Sequence, residues 1–144
     1  VYKTLETNLL GDLVAAATGR SLAVYAKQKI VDPAGFAGPM FWMTDLTGGN
    51  IGGCCLSLRL SDYARMGQFA LEGGQPSVPA GWFTRAGAAQ VDLGEGYGYG
   101  YQWWTATVGG DQHVGGGGRH VLHANHSTTI RVSSKMAIFS IWLM

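Results

Sequence analysis

The chain has 144 residues, 47% of them hydrophobic and 13% charged, with a formal net charge of +1. That length fits one domain, the apolar share excludes a disordered chain, and the near-neutral balance leaves no basic stripe for nucleic acid. Glycine reaches 23 residues, more than twice the usual share of about 7%, but in clusters without a three-residue period, which excludes collagen.

No run approaches the roughly 20 apolar residues that cross a bilayer, so no membrane span is expected. The chain opens on Val1-Tyr2-Lys3 without a basic segment and leader, which leaves the compartment open. The adjacent Cys54 and Cys55 are expected to pack as small apolar residues and not to bridge, because vicinal cysteines bridge only with strain.

In chain order, the first helix is expected over residues 5–18. Leu5, Leu9 and Leu13, with Leu10 and Val14 beside them, make its apolar stripe, with Thr4 as N-cap and Gly19 as stop. Ser21 caps a second helix carrying Leu22, Tyr25 and Ala26, which Asp32-Pro33 ends. Residues 33–53 read as a long glycine-rich loop of the kind that covers a site. A third helix starts at Ser61-Asp62, with the stripe Tyr63, Met66, Gly67, Ala70 and Leu71, and stops at Gly73-Gly74. A helical turn around residues 79–89 holds Trp82 and Phe83. Residues 96–104 alternate aromatic and glycine, predicting a strand with one aromatic and one bare face. Two more strand-like runs, 128–132 and 136–144, flank a turn at Ser133-Ser134-Lys135.

The residues alone supply no complete catalytic set. A Ser-x-x-Lys pair would put an amine one helical turn from a nucleophilic hydroxyl, and it is absent, as is Gly-x-Ser-x-Gly. The glycine runs lack the Gly-Lys-Ser/Thr of a phosphate loop. His113, His120, His123 and His126 invite a metal reading, but no carboxylate or cysteine completes an obvious shell.

Several segments, taken in order, resemble the serine beta-lactamase-related hydrolases, in particular class C-like beta-lactamases, carboxylesterases and 6-aminohexanoate-dimer hydrolases. They are Tyr2-Lys3-Thr4 with the helix after it to Gly11, then Pro33-Ala34-Gly35-Phe36, Gly52-Gly53, the stretch from Leu60-Ser61-Asp62-Tyr63 to Gly67, and Gly96-Tyr97-Gly98-Tyr99 with Trp103-Trp104. The match covers residues 1–104. It implies an α+β fold, a partial beta-lactamase/transpeptidase-like fold with helices on an antiparallel sheet that lacks its N-terminal strands. It also implies acyl transfer from a Ser-x-x-Lys serine, with the Lys and a motif tyrosine sharing proton transfer and backbone N–H groups holding the oxyanion.

On that resemblance Tyr2 is the catalytic tyrosine and Thr4 occupies the Ser/Asn position. His113-Val114-Gly115 is the candidate for the third motif, giving His113 and Gly115 as substrate-binding residues. The nucleophile would fall before Val1, so the chain is expected to be the C-terminal part of a single hydrolase domain and inactive alone. The substrate implied is a small ester, amide or beta-lactam, and neither cofactor nor metal is called for. Residues 105–144 depart from the family pattern and read as a divergent or frame-shifted tail. Two alternatives remain open: a non-catalytic binding module using Tyr97, Tyr99, Tyr101 and Trp103, and a metal-binding segment built on the four histidines.

Overall fold

The first helix, α1 (Thr4–Thr18), ends where the sequence signals it: Gly19 takes φ 65 and its N–H donates to the Ala15 carbonyl at 2.9 Å. The structure is a computed structural model that describes residues 3–108 and 111–116. Thr4 is not the N-cap. The helix begins one residue earlier than expected, Lys3 takes the cap position, and no side chain caps it.

The face that α1 presents to the domain is also not the leucine face. Leu5, Leu9 and Leu13 are 79%, 58% and 55% exposed, whereas Thr7 and Gly11 are buried. The reason is the closeness of the approach. A Cβ on Gly11 would lie 2.9 Å from the Gly52 Cα and 2.9 Å from Leu22 Cδ1, so only the small side of the helix fits.

Ser21 caps α2 (Leu22–Ala26) by accepting from the Val24 N–H at 3.3 Å, as its sequence predicts. The helix widens into a π turn over Lys27–Val31, which buries Ile30 ahead of Asp32-Pro33. The expected loop over 33–53 contains one strand, β1 (Phe41–Trp42), which pairs antiparallel with β2 (Leu56–Ser57). The Trp42 indole N–H closes the loop between them, donating to the carbonyls of Ile51 and Cys54.

Cys54 and Cys55 are joined in a disulfide, contrary to expectation. Successive extended residues point to opposite faces. Cys55 is instead left-handed, with φ 75, and this brings both sulfurs to one side of the chain.

The third helix, α3 (Leu60–Leu71), buries Tyr63, Met66 and Gly67 of its expected stripe and adds Phe69, while Leu71 stays exposed. These side chains meet Leu22, Ala26 and Ile30 from the second helical segment and Trp42 and Leu56 from the hairpin, forming the core. After α4 (Trp82–Ala86), the four strands β3 (Val91–Gly94), β4 (Tyr97–Tyr99), β5 (Trp103–Val108) and β6 (Asp111–Gly116) form one antiparallel meander.

The single strand expected over 96–104 is split between β4 and β5. Gly100 presses on α4, where a Cβ would sit 2.1 Å from the Ala86 carbonyl oxygen. The Tyr101 N–H donates to that oxygen at 2.9 Å, and Gln102 turns the chain back at φ 64. The aromatics part accordingly. Trp103 joins Phe83 edge-on at 6.0 Å, while Tyr101 lies against Trp82. The architecture is α+β, helices with small antiparallel sheets.

Candidate functional site

The resemblance places its site at the start of α1, and the structure ties that start to two turns. The tie is a stripe of small and polar residues at helical spacing: Thr4, Thr7, Asn8 and Gly11. Asn8 Oδ1 accepts from the Gly52 N–H at 2.9 Å. A Cβ on Gly53 would lie 2.8 Å from both the Thr4 methyl and the Thr4 carbonyl oxygen, so the Gly52-Gly53 turn lies directly on the first turn of the helix. On the other side, the buried Thr7 hydroxyl reaches Gln102 Oε1 at 3.5 Å, the outer limit of a hydrogen bond, and the Tyr99 hydroxyl donates to the same oxygen at 2.7 Å.

Gln102 links this helix to the sheet. It immediately precedes β5, whose first residue, Trp103, pairs with Gly116 of β6. The C-terminal end of β6 therefore lies at the same end of the sheet as the Gln102 turn. Gly115 pairs with Trp104, next to that end. His113 pairs with Ala106, three residues and about 10 Å along the strand from Gly116.

Of the site residues expected from sequence, Thr4 is thus at the joint, exposed, as the first residue of α1. Gly115 is near the same end of the sheet by register, and His113 is farther along it. Tyr2 lies outside the described residues, as do His120, His123 and His126 and the two strand-like runs beyond residue 127. Among the described residues no group of three or more His, Cys, Asp or Glu comes together as a metal site.

Charge near the start of α1 is sparse. Lys3 pairs with Glu6 at 3.8 Å, with both side chains mostly in water. Among the described residues, the buried carboxylate of Asp62 pins a loop. It accepts from the N–H groups of Ala37 and Gly38 at 2.9 Å each and from the Arg65 guanidinium at 2.8 Å. The Ala37 N–H does most to hold its carboxyl below the ordinary 3.8, and the Gly38 N–H and Arg65 add to that against the opposing effect of burial.

Sequence reasoning missed Asn8, Thr7 and Gln102. A signal for the first two was available, since Thr4, Thr7, Asn8 and Gly11 recur at i, i+3, i+4 and i+7 as regularly as the leucines do. Gln102 carried none, because its role follows from a left-handed turn that only the contact of Gly100 with α4 explains.

No protein-family model and no curated protein matches the chain. Among solved structures, the chain is similar to the octameric penicillin-binding protein homologue from Pyrococcus abyssi, at 19% sequence identity and a TM-score of 0.60. The alignment covers 78% of this chain and 32% of that one, so this chain spans about a third of that protein's length. At such identity the likeness concerns the fold alone.

Proposed function

We propose that this chain is the C-terminal part of a serine hydrolase that acts on ester, amide or beta-lactam bonds through an acyl-enzyme, and that it forms no acyl-enzyme by itself. The observation that carries the reading is the anchoring of the start of α1 to the Gly52-Gly53 turn and to Gln102, at the end of the sheet that Gly115 and Gly116 approach. The likeness in fold to a penicillin-binding protein homologue supports it.

In this reading Tyr2, two residues before Thr4, exchanges a proton with the attacking hydroxyl, and the exposed Thr4 hydroxyl hydrogen-bonds the neighbouring amine or the substrate. Every second N–H along β6 faces away from β5, and in this reading those near Gly115 hold the tetrahedral oxyanion. The nucleophilic serine and its lysine are not among these 144 residues.

Three measurements test this. A chromogenic short-chain ester and a fluorescent penicillin are offered to the purified chain; neither a burst nor a covalent label is expected, and one equivalent of burst per chain overturns the inactivity. The DNA preceding the Val1 codon is then sequenced, where an in-frame Ser-x-x-Lys is expected. In the longer chain so defined, Tyr2→Phe is expected to slow acylation by about 10²–10⁴-fold, the usual range for a general acid–base group. An open upstream frame without that motif, or a Tyr2→Phe variant with unchanged acylation, overturns the hydrolase reading.

A further inference from the structure

The Cys54–Cys55 disulfide has no part in the hydrolase reading, yet it occupies a joint in the chain. On one side is the Gly52-Gly53 turn, which touches Thr4 and Gly11 so closely that neither glycine has room for a Cβ. On the other side is Leu56, buried in the core and fixed by its pairing with Trp42. The Cys54 carbonyl accepts from the Trp42 indole and the Cys55 carbonyl from the Met43 N–H, both at 3.1 Å. Both cysteines are half-buried, so part of each remains open to a reagent in solution.

Cys55 is a non-glycine residue at φ 75. That conformation is unfavourable for an L side chain, and the short ring closed by a bond between neighbouring residues is what holds it here. With the bond open, Cys55 is free to return to the extended region and continue β2 by one residue. Leu56 is anchored, so the rotation has to be taken up before Cys55, at Gly52 and Gly53, the segment that lies on α1.

We propose that Cys54 and Cys55 form a reversible two-electron redox site whose state sets the contact between the Gly52-Gly53 turn and the first turns of α1: the disulfide holds it and the dithiol loosens it. The reductant is a small dithiol. Its thiolate attacks one Sγ, and the other cysteine leaves as a thiolate and takes up a proton. The second thiol of the reagent then resolves the mixed disulfide, leaving two protein thiols and one oxidised reagent. This proposal stands apart from the hydrolase reading, because its readout needs no activity.

The test compares the full chain before and after dithiothreitol, trapping thiols with N-ethylmaleimide and following backbone hydrogen exchange. No adduct before reduction and two after it are expected. The Gly52 amide, held by Asn8 Oδ1, and residues 4–11 are expected to exchange about tenfold faster or more in the reduced chain, with residues 63–69 of α3 unchanged. The Cys54→Ser, Cys55→Ser double variant, which takes no adduct, is expected to show the hydrogen exchange of the reduced chain in either condition. Two adducts before reduction, none after it in the folded chain, reduction without a change at Gly52, or an equal rise in α3 would each overturn the proposal.

Discussion

Replacing Gly11 by Ala in the middle of α1 separates helix propensity from the close approach of the Gly52 turn, because the two act in opposite directions. In a free helix interior, Ala is favoured over Gly by about 0.8–1.0 kcal/mol. Here the added Cβ would meet the Gly52 Cα and Leu22 Cδ1 at 2.9 Å each. Carbon atoms settle at about 3.5–4.0 Å, so the contact must open by about 0.6–1.1 Å. Leu22 can turn aside, but the Gly52 backbone can move only by stretching the bond from its N–H to Asn8. Overpacking of this kind costs about 1–3 kcal/mol, and the net expectation is a loss of about 0–2 kcal/mol. Urea unfolding followed by tryptophan fluorescence measures it. Ala16→Gly, at an exposed site on the same helix, calibrates propensity alone and is expected to cost about 0.8–1.0 kcal/mol. Gly52→Ala added to Gly11→Ala is expected to cost less than the sum of the two, since the first Cβ has already opened the contact. A Gly11→Ala chain more stable than the parent by the full propensity gain would refute the close approach and with it the anchoring of Thr4.

Asp62, with its carboxyl held below 3.8, adds stability that is present above the unfolded value and lost as pH falls through the folded one. Thermal midpoints should therefore fall on acidification below about pH 4, and Asp62→Asn should lower the midpoint at pH 7 and flatten that acid limb. Tyr63 works at the other end of the scale. Burial raises its phenol, so the folded state keeps the proton longer, and stability should decline above about pH 10, where the unfolded phenol ionises first. Tyr63→Phe should remove that decline and cost about 1 kcal/mol at neutral pH through the lost bond to the Leu56 carbonyl. Leu9→Lys and Leu13→Lys should shift unfolding by no more than about 0.5 kcal/mol; a loss of about 2–5 kcal/mol would place these leucines in a core instead.

The parts of this fold that were legible in the sequence are those decided within one turn of chain. Gly19 stops α1 because its left-handed conformation suits glycine, Ser21 caps α2 with its own hydroxyl, and the stripe through Tyr63, Met66 and Gly67 faces the core as written. What stayed hidden depends on a partner distant in sequence. Two stripes compete on α1, and hydrophobicity alone favours the leucines; the choice of the Thr7 and Gly11 face is made by Gly52, some forty residues on, whose backbone accepts nothing larger. The same holds for Gly100, which ends a strand only because Ala86 stands against it, and for Cys54 and Cys55, whose bond needs a backbone turn that neither residue announces. For the candidate site, the resemblance singled out Thr4 and Gly52-Gly53 as separate segments; that the two touch, and that Asn8 and Gln102 hold them, follows from the three-dimensional contacts.

Electrostatics sets what the hydrolase reading requires beyond this scaffold. An ordinary phenol ionises near pH 10, so about one in a thousand is a phenolate at pH 7, and lowering its value to about 7 takes roughly 4 kcal/mol of preference for the anion. The cation that the sequence places beside Tyr2 is Lys3, and it is mostly in water, 3.8 Å from Glu6. A unit charge 4 Å away in water supplies only about 1 kcal/mol, less than one pKa unit, and Glu6 offsets part of it. The same charge in a sheltered cleft, at an effective dielectric constant near 20, supplies about 4 kcal/mol at that distance. A sheltered ammonium can therefore make a motif tyrosine a working base at neutral pH, provided its attraction outweighs the desolvation that raises a buried phenol, as at Tyr63. The lysine of a Ser-x-x-Lys motif is such a group, delivered on the same helical turn as the nucleophile. Tyrosine, lysine and serine then act as a unit, so supplying either missing group without the other should restore almost none of the rate.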